Sequence, residues 1–372
     1  MEYRRFGKTG LQMSVLSCGT MRCLESQAQM TETIEYALAS GVNHLETAHG
    51  YGDSETFLGH TLKALSSSFP RDRYILTSKI CPMPDLAEFR STLQESFDRL
   101  QVDYLDCLAL HGVNTFEHLN WIQNGCMAIV QEYVATGRIR QVGFSTHGSL
   151  DLIQATIATN DFAFVNLHYG LFFRRNEAAI AQATDRDMGI FIISPGDKGG
   201  MLYTPPEPLV QACAPLTPLA ANYRFLLSDD RIHTLSVGPA NPTEWTQPLQ
   251  SIAPYGEEQQ IFTQLDQQLE QALGTDRCSQ CYLCLPCPEE INIPEVLRLR
   301  NLTIAYAMDG FGKYRYGMFE NAGHWFPGRK ANHCTDCGDC LPRCPEALKI
   351  PDLLRDTHDR LSGKPRRRLW QS

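Results

Sequence analysis

The 372-residue chain has no long apolar run, and nowhere approaches the roughly 20 consecutive apolar residues that a membrane-spanning helix needs. Its opening, MEYRRFGKTG, lacks the apolar centre of a secretory signal. A cytoplasmic setting without a membrane partner is therefore expected. Positive charge is also in deficit. Lys and Arg number 33 against 42 Asp and Glu, a net charge of −9, which argues against a general nucleic-acid binder. No GxGxxG follows an early strand, so the usual fingerprint of a doubly wound dinucleotide fold is missing. Disorder is excluded as well, because 43% of the residues are hydrophobic and can build a core.

What the chain does have is an uneven distribution of cysteine. Six of the 14 cysteines are scattered: Cys18, Cys23, Cys81, Cys107, Cys126 and Cys213. The other eight fall in two short runs, Cys278 to Cys287 and Cys334 to Cys344. A disulfide framework needs an oxidising compartment and usually a short secreted chain. Two compact runs in a large chain without a secretory signal read as metal sites instead.

The first part of the chain alternates short β-rich runs with segments able to form helices. The runs are Val15–Gly19, Val42–Glu46, Tyr74–Lys79, Tyr104–Leu110, Ile139–Ser145, Phe162–Leu167, Gly189–Ser194 and Thr234–Gly238. They lack strict polar alternation, as expected of strands buried on both faces. Between them, Thr31–Ser40 reads as a helix capped by Thr31. In Asp85–Leu100, the residues Leu86, Phe89, Leu93, Phe97 and Leu100 form a helical stripe. Eight such strands alternating with helices give a (β/α)8 TIM barrel over residues 1–256. A doubly wound open sheet is the rival. Residues 257–372 read as a small helical ferredoxin-like domain, opening with a Gln/Glu-rich helix at Glu257–Leu273. The negative charge lies mainly on the barrel, since residues 256–372 carry 16 acids and 15 bases. The tail Lys364-Pro365-Arg366-Arg367-Arg368 is a short basic run, read as solvated.

The second cysteine run is Cys334-x2-Cys337-x2-Cys340-x3-Cys344-Pro345, the spacing of bacterial ferredoxins with its following proline. The first, Cys278-x2-Cys281-x2-Cys284-x2-Cys287-Pro288, has one residue fewer before its last cysteine. Zinc prefers two pairs separated by a gap, not four cysteines in ten residues, so [4Fe–4S] clusters are expected. Eight thiolates suit two cubes with crossed ligation. Cys278, Cys281, Cys284 and Cys344 would hold one; Cys334, Cys337, Cys340 and Cys287 the other. One cluster at the second run is the alternative. Ile291–Tyr306, between the runs, reads as a helix with Pro294 near its start.

In an α/β barrel the reactive groups gather at the C-terminal ends of the strands. Here the second end offers Glu46 and Tyr51, the third Lys79, and the fourth His111. A buried ammonium beside a phenol favours phenolate and lowers the phenol's pKa. A carboxylate keeps that ammonium charged and oriented. A Tyr tuned in this way can give a proton to a carbonyl oxygen that is becoming an alkoxide.

These residues resemble the aldo-keto reductase family. Tyr3-Arg4-Arg5-Phe6-Gly7-Lys8-Thr9-Gly10-Leu11 is similar to its N-terminal hairpin. Glu46-Thr47-Ala48-x-x-Tyr51-Gly52 resembles its Asp-Thr-Ala-x-x-Tyr-Gly motif, with Glu in place of Asp. Lys79 and His111 fall where its catalytic Lys and His fall. The iron–sulfur extension resembles a branch of the same family. The resemblance implies Tyr51 as proton donor, Lys79 as its activator, Glu46 as the partner of Lys79 and His111 as substrate orienter. It also implies NADPH or NADH as hydride donor and an aldehyde or ketone as substrate.

Gly143-Phe144-Ser145-Thr146-His147 is similar to the segment that holds the nicotinamide carboxamide, so Ser145 carries over while Thr146 replaces an Asn. Asn166 falls where a carboxamide-binding Gln is common. Ser194-Pro195-Gly196-Asp197-Lys198-Gly199-Gly200 resembles the pyrophosphate loop, with Lys198 adding charge. Gly238 opens the last cofactor segment. From Val237 to Gln250 there is no Lys or Arg, although the family usually places a basic residue there for the 2′-phosphate.

Two functions follow. One is a nicotinamide-dependent oxidoreductase that interconverts a carbonyl and an alcohol. The other is an iron–sulfur electron-transfer protein on a barrel scaffold, exchanging electrons with a ferredoxin-like partner and no longer reducing carbonyls. Hydride transfer moves two electrons and a cube moves one; no flavin motif is visible to bridge them.

Overall fold

The computed structural model describes residues 1–253 and 256–364. Positions 365–368 of the basic tail lie outside the described residues. Contacts divide the chain into two compact units. One is Met1–Gly199 with Asn222–Ala253; the other is Gly200–Ala221 with the described residues from 256 onward. Composition alone puts the boundary at 256/257. The contact division also assigns Gly200–Ala221 to the second unit, where its helix Glu207–Cys213 packs on the helices Glu258–Leu273 and Ile293–Tyr306. Among the described residues no helix is long and apolar enough to cross a membrane.

The first unit opens with a hairpin of β1 (Tyr3–Arg5) and β2 (Gln12–Ser14), paired antiparallel. Eight parallel strands follow: β3 (Leu16–Gly19), β4 (His44–Glu46), β5 (Ile75–Ile80), β6 (Leu105–Leu110), β7 (Ile139–Ser145), β8 (Phe164–Leu167), β9 (Gly189–Ile192) and β10 (Thr234–Val237). Each pairs with the next, and β10 returns to β3, so the sheet closes into a barrel. Every residue of β5 and β6 is buried, which explains why these strands read as continuous rather than alternating.

The hairpin determines which end of the barrel is open. Phe6 and Met13 pack with Ile75, Phe164 and Phe191 in one apolar cluster. Ile75 and Phe164 begin their strands, so this cluster stops the N-terminal end. Burying each such side chain contributes about 1.5–3 kcal/mol. Gly7 makes the close approach feasible: its φ is +51°, and a Cβ there would sit 2.4 Å from the Gly189 nitrogen. The C-terminal strand ends are left for chemistry.

The helix Leu86–Leu100 starts on an Asp85 cap that accepts the N–H groups of Ala87 and Glu88. It buries Phe89, Leu93, Phe97 and Leu100, while Leu86 is exposed and lies off the stripe. The helix expected from Thr31 instead runs from Gln27 to Ala39. Ser26 is its cap, accepting the Gln29 N–H, and Thr31 lies inside, its hydroxyl bonded back to the Gln27 carbonyl. Both Ser and Thr can cap a helix, Ser somewhat the better, and here Ser26 is used.

The second unit is helical and contains a repeat that goes beyond the two cysteine runs. Each run is followed, six residues after its last cysteine, by a helix beginning Ile-Pro: Ile293–Tyr306 after Cys287 and Ile350–Leu361 after Cys344. Proline suits the first turn, where its missing N–H would have no helical partner. The two helices pack on each other, and Tyr306 bonds the Leu265 carbonyl of helix Glu258–Leu273 at 2.7 Å.

Candidate active site and cluster loops

Glu46 ends β4, and the chain then turns through Thr47–Asp53 into helix Ser54–Ala64. Hydroxyls fix this turn. Ser54 bonds both Thr20 (2.6 Å) and Thr47 (2.9 Å), and Thr20 donates to the Glu46 carbonyl. Gly52, at φ +58°, lets the chain reverse. Tyr51 is thereby brought over β5, whose Lys79 side chain is buried. The Lys79 ammonium donates to Glu46 Oε1 at 2.5 Å, to the Thr47 carbonyl at 2.8 Å and to the Tyr51 hydroxyl at 3.5 Å. The longer Glu side chain therefore still reaches the lysine. Burial alone would pull Lys79 down, but Glu46 and then Tyr51 oppose it, and the net shift is upward. His111, just past β6, meets the Tyr51 ring edge-on at 5.6 Å. Four side chains from three strand ends thus converge.

Glu55, in the first turn of the helix after Tyr51, was not singled out from sequence. It is fully buried, accepts the Ser78 hydroxyl at 2.5 Å, and has its carboxyl pushed up by burial. His49 turns away from the site and pairs with Glu95 at 2.8 Å.

Around the mouth, Ser145 at the end of β7 accepts the Gly112 N–H at 3.0 Å. Asn166 on β8 is its direct register partner. Asn166 is completely buried, and neither its amide oxygen nor its amide nitrogen has a hydrogen-bond partner. Thr146 cannot substitute for an amide here, because its hydroxyl is committed to the Val113 carbonyl at 2.6 Å. His147 and His168 bond each other at 2.8 Å, and His168 Nδ1 faces the Ile193 carbonyl at 3.0 Å. Since a carbonyl only accepts, His168 carries its proton on Nδ1 when neutral, and His147 Nδ1 donates to it.

After β9, Ser194 takes a left-handed φ of +48°, and the Lys198 N–H closes back on its carbonyl. After β10, the Gly238 carbonyl accepts Arg22 at 2.8 Å. Arg22 also forks onto both oxygens of Glu244, at 2.7 and 3.1 Å, while Glu244 accepts the Ala240 N–H. The cation missing between Val237 and Gln250 is thus supplied by the loop after β3 and already neutralised. Asp197 lies within electrostatic reach of Arg22, Lys198 and Glu244, its carboxyl pushed up by burial. Two cations and two anions balance there. Sequence alone gave no signal for Arg22, which joins the site from more than 200 residues away.

In the second unit the two cysteine loops share a backbone pattern. Gln280, Tyr282 and Glu290 in the first have positive φ, and so do Asp336, Gly338 and Ala347 at matched positions in the second. Such left-handed residues cost energy in non-glycine positions and make concave nests of N–H groups suited to anionic clusters. Cys287 of the first loop joins Cys334, Cys337 and Cys340 of the second around one small cavity. In the other direction, Cys344 lies close enough to Cys278 to influence its thiol. Burial first, then Cys281, Cys344 and Glu346, push Cys278 up to about 11 against a backbone hydrogen bond from Gln280. Among the described residues no three His, Cys, Asp or Glu side chains gather tightly enough for a single metal ion.

Comparison with known proteins agrees with this division. Residues 277–349 match a 4Fe-4S dicluster domain model. L-galactose dehydrogenase of Arabidopsis thaliana is 30% identical over 188 residues, covering 46% of this chain and 58% of that protein. The 6-dehydroglucose reductase of Novosphingobium aromaticivorans is 28% identical over 160 residues, covering 38% and 51%. The chain spans about half the length of these curated relatives. In fold, the barrel is similar to the aldo-keto reductase AKR11C1 of Bacillus halodurans, with a TM-score of 0.62 at 21% identity, covering 71% of this chain and 95% of that one. The aldo/keto reductase family model matches residues 15–204, just over half of the chain, and the protein belongs to that family.

Proposed function

We propose that the barrel interconverts a small carbonyl compound and its alcohol, and that the second unit carries two [4Fe–4S] clusters. The observation that carries the first part is the buried Lys79, held between the Glu46 carboxylate and the Tyr51 hydroxyl. An ammonium 3.5 Å from the phenol stabilises phenolate. Tyr51 can therefore release its proton to a carbonyl oxygen as negative charge develops there, and recover one from solvent. His111, against the Tyr51 ring, orients the carbonyl.

Bound nicotinamide would supply the hydride to the carbonyl carbon. Asn166 suits its carboxamide, because an amide with two unmet hydrogen-bonding atoms in a dry wall calls for a ligand with matching groups. Ser145, Ser194, Lys198 and Gly238 complete the cofactor surface. Neutral pairing of Arg22 with Glu244 favours NADH over NADPH.

For the clusters, Cys278, Cys281, Cys284 and Cys344 are proposed to hold one cube. Cys334, Cys337, Cys340 and Cys287 would hold the other. The cavity bordered by the second set supports this assignment.

Carbonyl-dependent oxidation of reduced nicotinamide tests the reading. Tyr51→Phe is expected to lower kcat by at least about 100-fold, the usual contribution of a general acid, with little change in cofactor binding. Full turnover in that variant would remove Tyr51 from the reaction. If the cofactor binds and the cubes assemble yet no carbonyl is reduced by wild-type protein, the electron-transfer reading with a ferredoxin-like partner takes its place.

A further inference from the structure

The repeat in the second unit allows its two halves to be compared position by position. Glu289 and Glu346 correspond, each two residues after the last cysteine of its run. The residue just before that cysteine does not correspond: it is Pro286 in the first run and Arg343 in the second. Arg343 lines the same cavity as Cys287, Cys334, Cys337 and Cys340. Its guanidinium donates to the Asp339 carbonyl at 2.8 Å and to the Pro286 carbonyl at 3.0 Å. One side chain thus ties the second loop to the peptide immediately before Cys287. That is where the first run is one residue short of the usual spacing.

The charges around the two sites differ accordingly. The cavity holds two charged side chains, Arg343 and Glu289. Glu289 is offset by Arg329 at 3.8 Å and bonded by Thr335. Asp336 nearby is paired with Arg355 at 2.7 Å. Arg343 donates only to carbonyls, and among the described residues no carboxylate pairs with it. On the other side, Glu346 stands two residues after Cys344, and among the described residues no ion pair offsets it. Reduction adds one electron to a cube and forms or breaks no bond. A neighbouring cation therefore raises the potential, and a neighbouring anion lowers it.

We infer that Arg343 is a positioning residue that holds Cys287 against the cluster of Cys334, Cys337 and Cys340, and makes that cluster the more easily reduced of the two. This rests on the two-cluster reading above. Protein isolated anaerobically with its clusters is assayed for iron and acid-labile sulfide, then reduced stepwise with dithionite and followed by electron paramagnetic resonance. Wild type is expected to hold eight irons and to reduce in two separate one-electron waves. Arg343→Gln is expected to lower the upper wave and leave the lower one in place. Arg343→Lys, which keeps the charge, is expected to restore the upper wave.

Two unmoved waves in a fully loaded Arg343→Gln protein overturn the inference. So does movement of the lower wave alone, or an Arg343→Lys protein that behaves like the Gln variant. A fall to four irons in Arg343→Gln, with the lower wave intact, upholds the positioning of Cys287. Loss of all eight overturns it, since the residue would then support the whole unit. Four irons in wild type would instead overturn the two-cluster reading itself.

Discussion

Glu46 Oε1 and Lys79 Nζ sit 2.5 Å apart with almost no water around them, their side chains 5% and 2% exposed. Removing two charges from solvent costs several kcal/mol per ion, and the pair recovers that only while both members are present. Glu46→Gln leaves an uncompensated ammonium and should cost about 3–5 kcal/mol. Lys79→Met leaves a buried carboxylate and should cost a similar amount. The double variant Glu46→Met/Lys79→Met should be more stable than either single one, though inactive. Urea unfolding at pH 7 measures all three, and simple additivity in the double variant would count against a coupled pair.

Asn166 presents the opposite problem, a buried amide that the apoprotein leaves unsatisfied. Each unmet buried polar group costs about 1–3 kcal/mol. Asn166→Leu has similar bulk and no such groups. It should raise the apoprotein's stability by about 1 kcal/mol and weaken nicotinamide binding by about tenfold, the equivalent of one good hydrogen bond. Calorimetric Tm and a fluorescence titration with NADH give the two numbers. A variant that loses stability and keeps its affinity would show that the amide serves the fold and not a ligand.

The barrel was legible because its strands are buried on both faces and leave continuous apolar runs, as at Ile75–Ile80 and Leu105–Leu110. Lys79 stood out for the same reason, as a charge ending a buried run. The start of helix Gln27–Ala39 was not legible, because Ser26 and Thr31 are both capping residues and local sequence does not say which begins the helix. Arg22 was invisible because its partner Glu244 is distant in sequence and neither sits in a recognisable motif. The loop cysteines could be read as metal ligands from spacing alone. The Ile-Pro helix starts behind them are two-residue signals, too short to stand out without the left-handed residues that the two loops share.

Glu244 bears on the choice of nicotinamide. In dinucleotide sites generally, a carboxylate suits the ribose hydroxyls of NADH and a free Arg accommodates the 2′-phosphate of NADPH. Arg22 is bound to both of its oxygens, so the pair is neutral and Arg22 is not free to hold a 2′-phosphate. Both side chains are more than a third exposed, or nearly so, and solvent screens the effect. NADH should bind more tightly than NADPH by up to about tenfold, or roughly 1.4 kcal/mol. Glu244→Gln should close the gap by freeing Arg22. Parallel titrations with the two cofactors decide the matter, and tighter NADPH binding by wild type would exclude this role for Glu244.

His44 links barrel stability to pH. It is fully buried, with Nδ1 bonded to the Ser17 hydroxyl at 2.6 Å and Nε2 to the Thr77 hydroxyl at 2.7 Å. Burial, and then the Lys79 charge, pull it down from 6.5 to about 3. The folded ring therefore stays neutral where the unfolded chain's ring takes up a proton. Its contribution is complete above pH 6.5 and is lost as pH falls toward 3. Through that window it should cost up to about 1.4 kcal/mol of stability per pH unit. His233, lowered to about 4 chiefly by burial, adds a similar but shorter slope. His44→Gln keeps two polar atoms for Ser17 and Thr77 and cannot titrate. Urea unfolding at pH 7.0 and pH 5.5 should show a smaller loss of stability in the variant than in wild type. Equal losses would mean that His44 is protonated within the fold and that the hydroxyls around it reorient to accept the charge.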